Sequence, residues 1–217
     1  MELKNKKINF LGDSITQGAG VSAPQHRYVN VFAAKTGATV RNYGIGGTRI
    51  ARTEYTDGNP IFDQNFLDRV EGMDADADVI VVFGGTNDFG HGNGKLGTPD
   101  STDEYTFYGA ADSLCRRLIE KYPTATIVFM TPLHRKSELV TTNERGRPCE
   151  PLHSYVLALR EVTERYAIPV LDLYAISGIT PRIETNRVTF APDGLHPNDR
   201  GAEHIADLLI NFLRYTL

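Results

Sequence analysis

Three residues near the two ends of the chain carry the types needed for nucleophilic acyl transfer. Ser14 lies in Gly12-Asp13-Ser14-Ile15-Thr16-Gln17-Gly18, while Asp193 and His196 lie in Asp193-Gly194-Leu195-His196-Pro197. A serine hydroxyl is a weak nucleophile until a base takes its proton, and that base must be oriented by a third group. Imidazole is the side chain that exchanges a proton near neutral pH, which suits His196 to the role. Asp193 stands three residues earlier, close enough across a turn to hold the ring's other nitrogen. The charge that develops on the attacked carbonyl oxygen needs fixed donors. The backbone amides of Ser14 and Gly47 and the carboxamide of Asn87 are candidates, with Gly44 and Gly46 as alternatives in the same glycine loop. The order Ser, Asp, His is that of the α/β-hydrolases, but Thr16 occupies the second glycine position of G-x-S-x-G. The triad would therefore sit on a different scaffold.

Each fragment also has a plainer account. Glycines after strands serve tight turns. Ser14 could cap a helix, Asn87-Asp88 could be turn residues, Asp193 could cap a turn, and His196 could be a solvated imidazole. These accounts explain the pieces separately and leave their coincidence unexplained.

What must position them is a set of strands. Lys7–Leu11, Thr39–Tyr43, Asp78–Phe83, Thr126–Thr131 and Pro169–Leu173 are short aliphatic runs without strict alternation, as expected of parallel strands covered on both faces. Helical spacing predicts helices over Tyr28–Lys35, Ile61–Val70 (Ile61, Phe62, Phe66, Leu67, Val70), Tyr108–Tyr122, Leu152–Tyr166 and Asp199–Leu213. Pro197 and Asn198 precede the last of these, where a helix start favours them. The alternation predicts one three-layer α/β domain over 1–217, without repeats or linkers. Phe89–Asp103 and Ser177–Pro192 read as the longest irregular stretches. Ligands of open α/β sheets bind beyond the carboxyl ends of the strands. Those ends carry Gly12 to Gly18, Gly44 to Arg49, Gly84 to Asp88 and Thr131 to Arg135.

The composition narrows the class. With 27 acidic against 23 basic residues and a net charge of −4, the chain has no bulk attraction for nucleic acid. No apolar run approaches the roughly 18 residues of a membrane span, and the stretch after Lys4, Lys6 and Lys7 breaks at Gly12 and Asp13 before a secretory segment could form. A cytoplasmic location is the expectation. Cys115 and Cys149 make no CxxC pair, and Cys115, beside Leu114 and Leu118, reads as a buried inert thiol. His26, His91, His134, His153 and His204 show no metal-ligand spacing. Of these, His134 follows a strand at the ligand-binding end.

These blocks resemble the SGNH, or GDSL-type, hydrolase superfamily. Its marks are Gly-Asp-Ser after the first strand, a glycine block after the second, Gly-x-Asn-Asp after the third and Asp-x-x-His near the C-terminus. They occur here in order as Gly12-Asp13-Ser14, Asn42 to Gly47, Gly85-Thr86-Asn87-Asp88 and Asp193 to His196. The resemblance implies a flavodoxin-like fold with a five-stranded parallel sheet and helices on both faces. It also implies a serine esterase without metal or cofactor. It makes Ser14 the nucleophile, His196 the base, Asp193 its partner, and Ser14, Gly47 and Asn87 the oxyanion donors. Counting from Asn42 selects Gly47 within the glycine block. Asp13, Arg49, Asp88 and His134 are expected as further substrate contacts, although Asp13 and Asp88 equally suit bracing of the loops. The expected substrate is a small acyl ester, acetyl on an alcohol or sugar, with the polar 89–108 loop and its Tyr105, Phe107 and Tyr108 as a sugar face. The competing readings are a flavodoxin-like nucleotide or phosphate binder, which leaves Asp193 and His196 without a task, and a phosphohydrolase using Asp13. The latter lacks a second carboxylate at Ile15.

Overall fold

The runs 8–11, Val79–Phe83 and 127–130 are buried on both faces of a sheet, whereas Thr39–Gly44, at its edge, has no buried residue. In the computed structural model, which describes residues 1–55, 58–61 and 63–215, five strands form one parallel sheet. They are β1 (Lys7–Gly12), β2 (Thr39–Gly44), β3 (Val79–Phe83), β4 (Thr126–Met130) and β5 (Val170–Leu171). Their order is β2-β1-β3-β4-β5, the flavodoxin-like arrangement. The register sets Gly12 beside both Gly44 and Phe83, and Phe83 beside Met130, so four chain segments leave the sheet at one edge.

Alternation along the strands divides the core into two layers. Ile8, Phe10, Val79, Val81 and Phe83 pack with α2 (Tyr28–Thr36) and α9 (Asp199–Tyr215). Leu11, Ile80, Val82, Ile127 and Phe129 pack with α5 (Phe107–Lys121) and α6 (Leu152–Arg165). Each such side chain removed from water contributes roughly 1.5–3 kcal/mol before entropy is counted. The stripe Ala202, Ile205 and Leu209 of α9 is buried as its spacing predicts. Among the described residues no helix is long and apolar enough to cross a membrane.

Several boundaries differ from expectation. The fifth strand is two residues long, because the Asp172 carboxylate caps α7 (Leu173–Ile176) through Ala175 N–H and accepts the Thr131 hydroxyl. The helix expected over 61–70 is a single turn, α3 (Phe66–Arg69). Asn65, itself extended, caps it by accepting Asp68 N–H, and its backbone bridges to Arg49, so the helix starts only at Phe66. Phe62, part of that expectation, lies outside the described residues. Two supposedly irregular stretches contain helix: α4 (Thr86–His91) takes the first residues of 89–103, and α8 (Glu184–Phe190) lies inside 177–192. The sugar face expected at 105–108 is largely absent. Phe107 and Tyr108 are buried in the core, the Tyr108 hydroxyl donates to Glu161, and only Tyr105 is exposed.

Candidate active site

After β1 the chain turns at once into a one-turn helix, α1 (Ser14–Gln17). Asp13 forms its cap, its carboxylate accepting Ile15 N–H at 3.0 Å. Gly12 is required just before it, since a Cβ there would stand 2.0 Å from Thr16 Oγ1. Ser14 thus opens α1 at the carboxyl edge of the sheet. Its Oγ lies 2.9 Å from His196 Nε2, although the two residues are 182 positions apart.

The turn before α9 holds the imidazole. Asp193 Oδ1 accepts the backbone N–H groups of Leu195 at 2.9 Å and His196 at 2.7 Å, which closes the turn. Its Oδ2 lies 2.7 Å from His196 Nδ1. A carboxylate at Nδ1 fixes the proton on that nitrogen and leaves Nε2 as an acceptor toward the serine hydroxyl. Burial pushes the Asp193 carboxyl up, but its bonds from the His196 ring and the two backbone amides outweigh that and hold it below the usual range.

The glycine loop after β2 can be accounted for amide by amide. Gly44 N–H donates to Asn42 Oδ1, Ile45 N–H to Gly12 O, Gly46 N–H to Gln17 Oε1 and Thr48 N–H to Ile45 O. Gly47, with φ +74°, has the one N–H of the loop that makes no hydrogen bond among the described residues. Of the three glycines the sequence left open, Gly47 is therefore the one free to bind a ligand. Ser14 N–H is likewise unengaged there. Asn87, in the first turn of α4, donates one Nδ2 hydrogen to Thr48 O at 2.9 Å, and its second makes no hydrogen bond among the described residues.

The expected substrate contacts divide sharply. Asp13 and Asp88 are buried and turned inward. Asp88 accepts Ile50 N–H and Ala51 N–H, tying α4 to the chain after the glycine loop. Burial raises both carboxyls to about 6, against the pull of those backbone donors and, for Asp13, of His196. Arg49 is 2% exposed, bonded to His91 Nδ1 and facing Asp63, so it is buried rather than placed at the surface. His134 remains partly open. Its Nδ1 is held by the buried Glu138 carboxylate, its ring lies 3.7 Å from that of Tyr174, and Lys136 N–H bonds Gly194 O beside the His196 turn. No group of three or more metal-ligating side chains occurs among the described residues.

Two residues were not singled out from the sequence. Gln17 stands one turn after Ser14 and seats Gly46, a spacing that could have drawn notice. Arg69, on α3, donates to Gly12 O, Tyr43 O and Thr48 Oγ1, and no local pattern marks it.

A flavodoxin-like sheet with a hydrogen-bonded serine, histidine and aspartate at its carboxyl edge defines the SGNH class of hydrolases. The chain belongs to the GDSL-like Lipase/Acylhydrolase family, whose model matches residues 10–204, and it is a carboxylic ester hydrolase of that family. One solved structure shares 36% identity, with 99% of each chain covered and a TM-score of 0.84. A protein from Lactobacillus plantarum shares 31% identity over 99% of each chain, with a TM-score of 0.85. A two-domain esterase active on acetylated mannans shares the fold, with a TM-score of 0.63 at 20% identity, over 97% of this chain and 49% of that one. No curated protein matches the chain.

Proposed function

We propose that the chain, acting as a single domain over residues 1–217, hydrolyses small acyl esters through an acyl-enzyme on Ser14. Ser14 Oγ attacks the ester carbonyl while His196 Nε2 takes its proton, and Asp193 holds the imidazolium that results. The carbonyl oxygen, now negative, accepts hydrogen bonds from Ser14 N–H, Gly47 N–H and the free Asn87 Nδ2 hydrogen. The C–O bond to the alcohol breaks, and His196 returns the proton to the departing oxygen. Water then adds to the acyl-serine with His196 as base, releasing the acid and restoring the serine. The observation that carries this reading is the Asp193–His196–Ser14 path, with bonds of 2.7 and 2.9 Å, beside amides that nothing else in the described protein uses.

The nucleophile has room beside it for an acyl group. At Gly46 a Cβ would stand 3.6 Å from Ser14 Cβ, so the wall next to the nucleophile is bare backbone. Acetylated carbohydrate is the first alcohol class to try, given the fold relative that acts on acetylated mannans. The test is hydrolysis of p-nitrophenyl esters of rising chain length and acetate release from acetylated sugars. Ser14→Ala is expected to lose on the order of 10³–10⁶-fold in kcat on the acetyl ester. Wild-type rates in that variant would reject the nucleophile, and a rate that climbs with chain length would reject the small acyl group.

A further inference from the structure

The groups that would stabilise the oxyanion are mounted on three separate segments, and something must fix their spacing to the nucleophile. The Arg69 guanidinium, half-buried on α3, donates from Nη2 to Gly12 O at 3.0 Å and to Tyr43 O, and from Nη1 to Thr48 Oγ1 at 2.8 Å. Gly12 directly precedes Asp13-Ser14, Tyr43 directly precedes the glycine loop, and Thr48 directly follows Gly47. Thr48 in turn receives Asn87 Nδ2 on its carbonyl. One cation therefore joins the carrier of Ser14 to the carriers of both other donors. No carboxylate lies within ion-pair distance of Arg69 among the described residues; its guanidinium is committed to two carbonyls and a hydroxyl, and its ring neighbour is Phe66, 5.1 Å away. A planar fork with fixed N–H directions can hold three acceptors at set distances, which a lysine ammonium cannot reproduce.

We propose that Arg69 is a positioning residue: it sets the separation of Ser14 from Gly47 and Asn87, and so the fit of the site to the tetrahedral intermediate. This rests on the oxyanion reading above. Displacement of a donor by about 1 Å can cost on the order of 10²-fold in rate, and it should act on the transition state rather than on the ground-state ester. Arg69→Lys and Arg69→Met are to be compared with Asn87→Ala on p-nitrophenyl acetate, together with the affinity of phenylboronic acid, which gives a tetrahedral anion on the serine. The Lys variant keeps the charge and guards against failure of the Met variant to fold. Both are expected to lose about 10–100-fold in kcat with KM nearly unchanged, and to lose boronate affinity in proportion. Guanidinium ion added at millimolar concentration should restore part of kcat to Arg69→Met. A folded Arg69→Lys with wild-type kcat, alongside a slow Asn87→Ala, overturns the role of Arg69 alone. Wild-type kcat in all three variants overturns the oxyanion reading and the proposal with it.

Discussion

Asp13 and Ser14 are adjacent but make opposite demands on water. The hydroxyl must meet a substrate, whereas the Asp13 carboxylate caps α1 from a site that is 2% exposed. Burial raises its pKa from 3.8 to about 6. Between those values the folded chain holds a proton that the unfolded chain has released, so this group's contribution to stability falls as pH rises through the window and stays low above it. Asparagine caps helices about as well as aspartate and does not titrate. Asp13→Asn should therefore gain stability relative to the wild type between pH 4 and pH 7, by on the order of 2 kcal/mol. Denaturant melts at both pH values check this, and a gap independent of pH would show that the carboxylate is not penalised by burial. At this scale the sequence was readable where chemistry dictates residue type. Ser14, Asp193, His196 and Asn87 stand out as candidates by residue type, whereas Gly47 is separated from Gly44 and Gly46 in the sequence only by the family resemblance. Arg69 and Gln17 do not stand out, because a guanidinium or a carboxamide becomes part of a site only through tertiary contacts made by another element.

The elements were legible where burial dictates a period and less so where a side chain competes with the backbone. The long helices follow apolar stripes, and four of the five strands follow aliphatic runs. Asp172 and Asn65 shorten β5 and α3 by capping, a choice that depends on Thr131, just after β4, and on Arg49, in the segment that follows β2. The start of α5 is legible to within one residue, Tyr108 against Phe107, but the polar text before it does not show that both rings turn into the core behind the Thr106 cap. The junction of β2 with α1 is tighter than either pattern suggests. A Cβ on Gly44 would lie 2.2 Å from Gln17 N and 2.6 Å from Thr16 C, both backbone atoms that can yield only if α1 moves. Gly44→Ala should therefore cost about 3 kcal/mol or more and slow catalysis by displacing Ser14. At Gly72 the nearest atom to a Cβ would be Arg69 O at 3.8 Å, so Gly72→Ala should change stability by less than about 0.5 kcal/mol. Equal melting behaviour of the two variants would mean that the junction relaxes freely.

Residues 14 and 196 meet at the carboxyl end of the sheet, and the site draws on both core layers, through Ile15 on one side and Ile50 and Phe89 on the other. The 139–148 stretch between β4 and α6, by contrast, is largely exposed and joins the apolar core at Cys149. The two cysteines can report the difference. Cys115 is 0% exposed within the layer under α5, and burial pushes its thiol up to about 12. Cys149 is 7% exposed, held by its N–H to Thr141 O and a long contact to Val140 O, in a segment that leaves Leu139 and Val140 exposed. Thiolates react, thiols hardly do, and a buried thiol waits for an opening. Few buried contacts hold the 139–149 segment, so it should open locally at a smaller free energy than the whole molecule. With a thiol reagent under native conditions, Cys149 should label at least about tenfold faster than Cys115. The Cys115 rate in moderate denaturant should match the loss of esterase activity, since both need the layers to separate. Labelling of both cysteines at one rate would show instead that the 139–149 segment opens only with the global unfolding that dismantles the site.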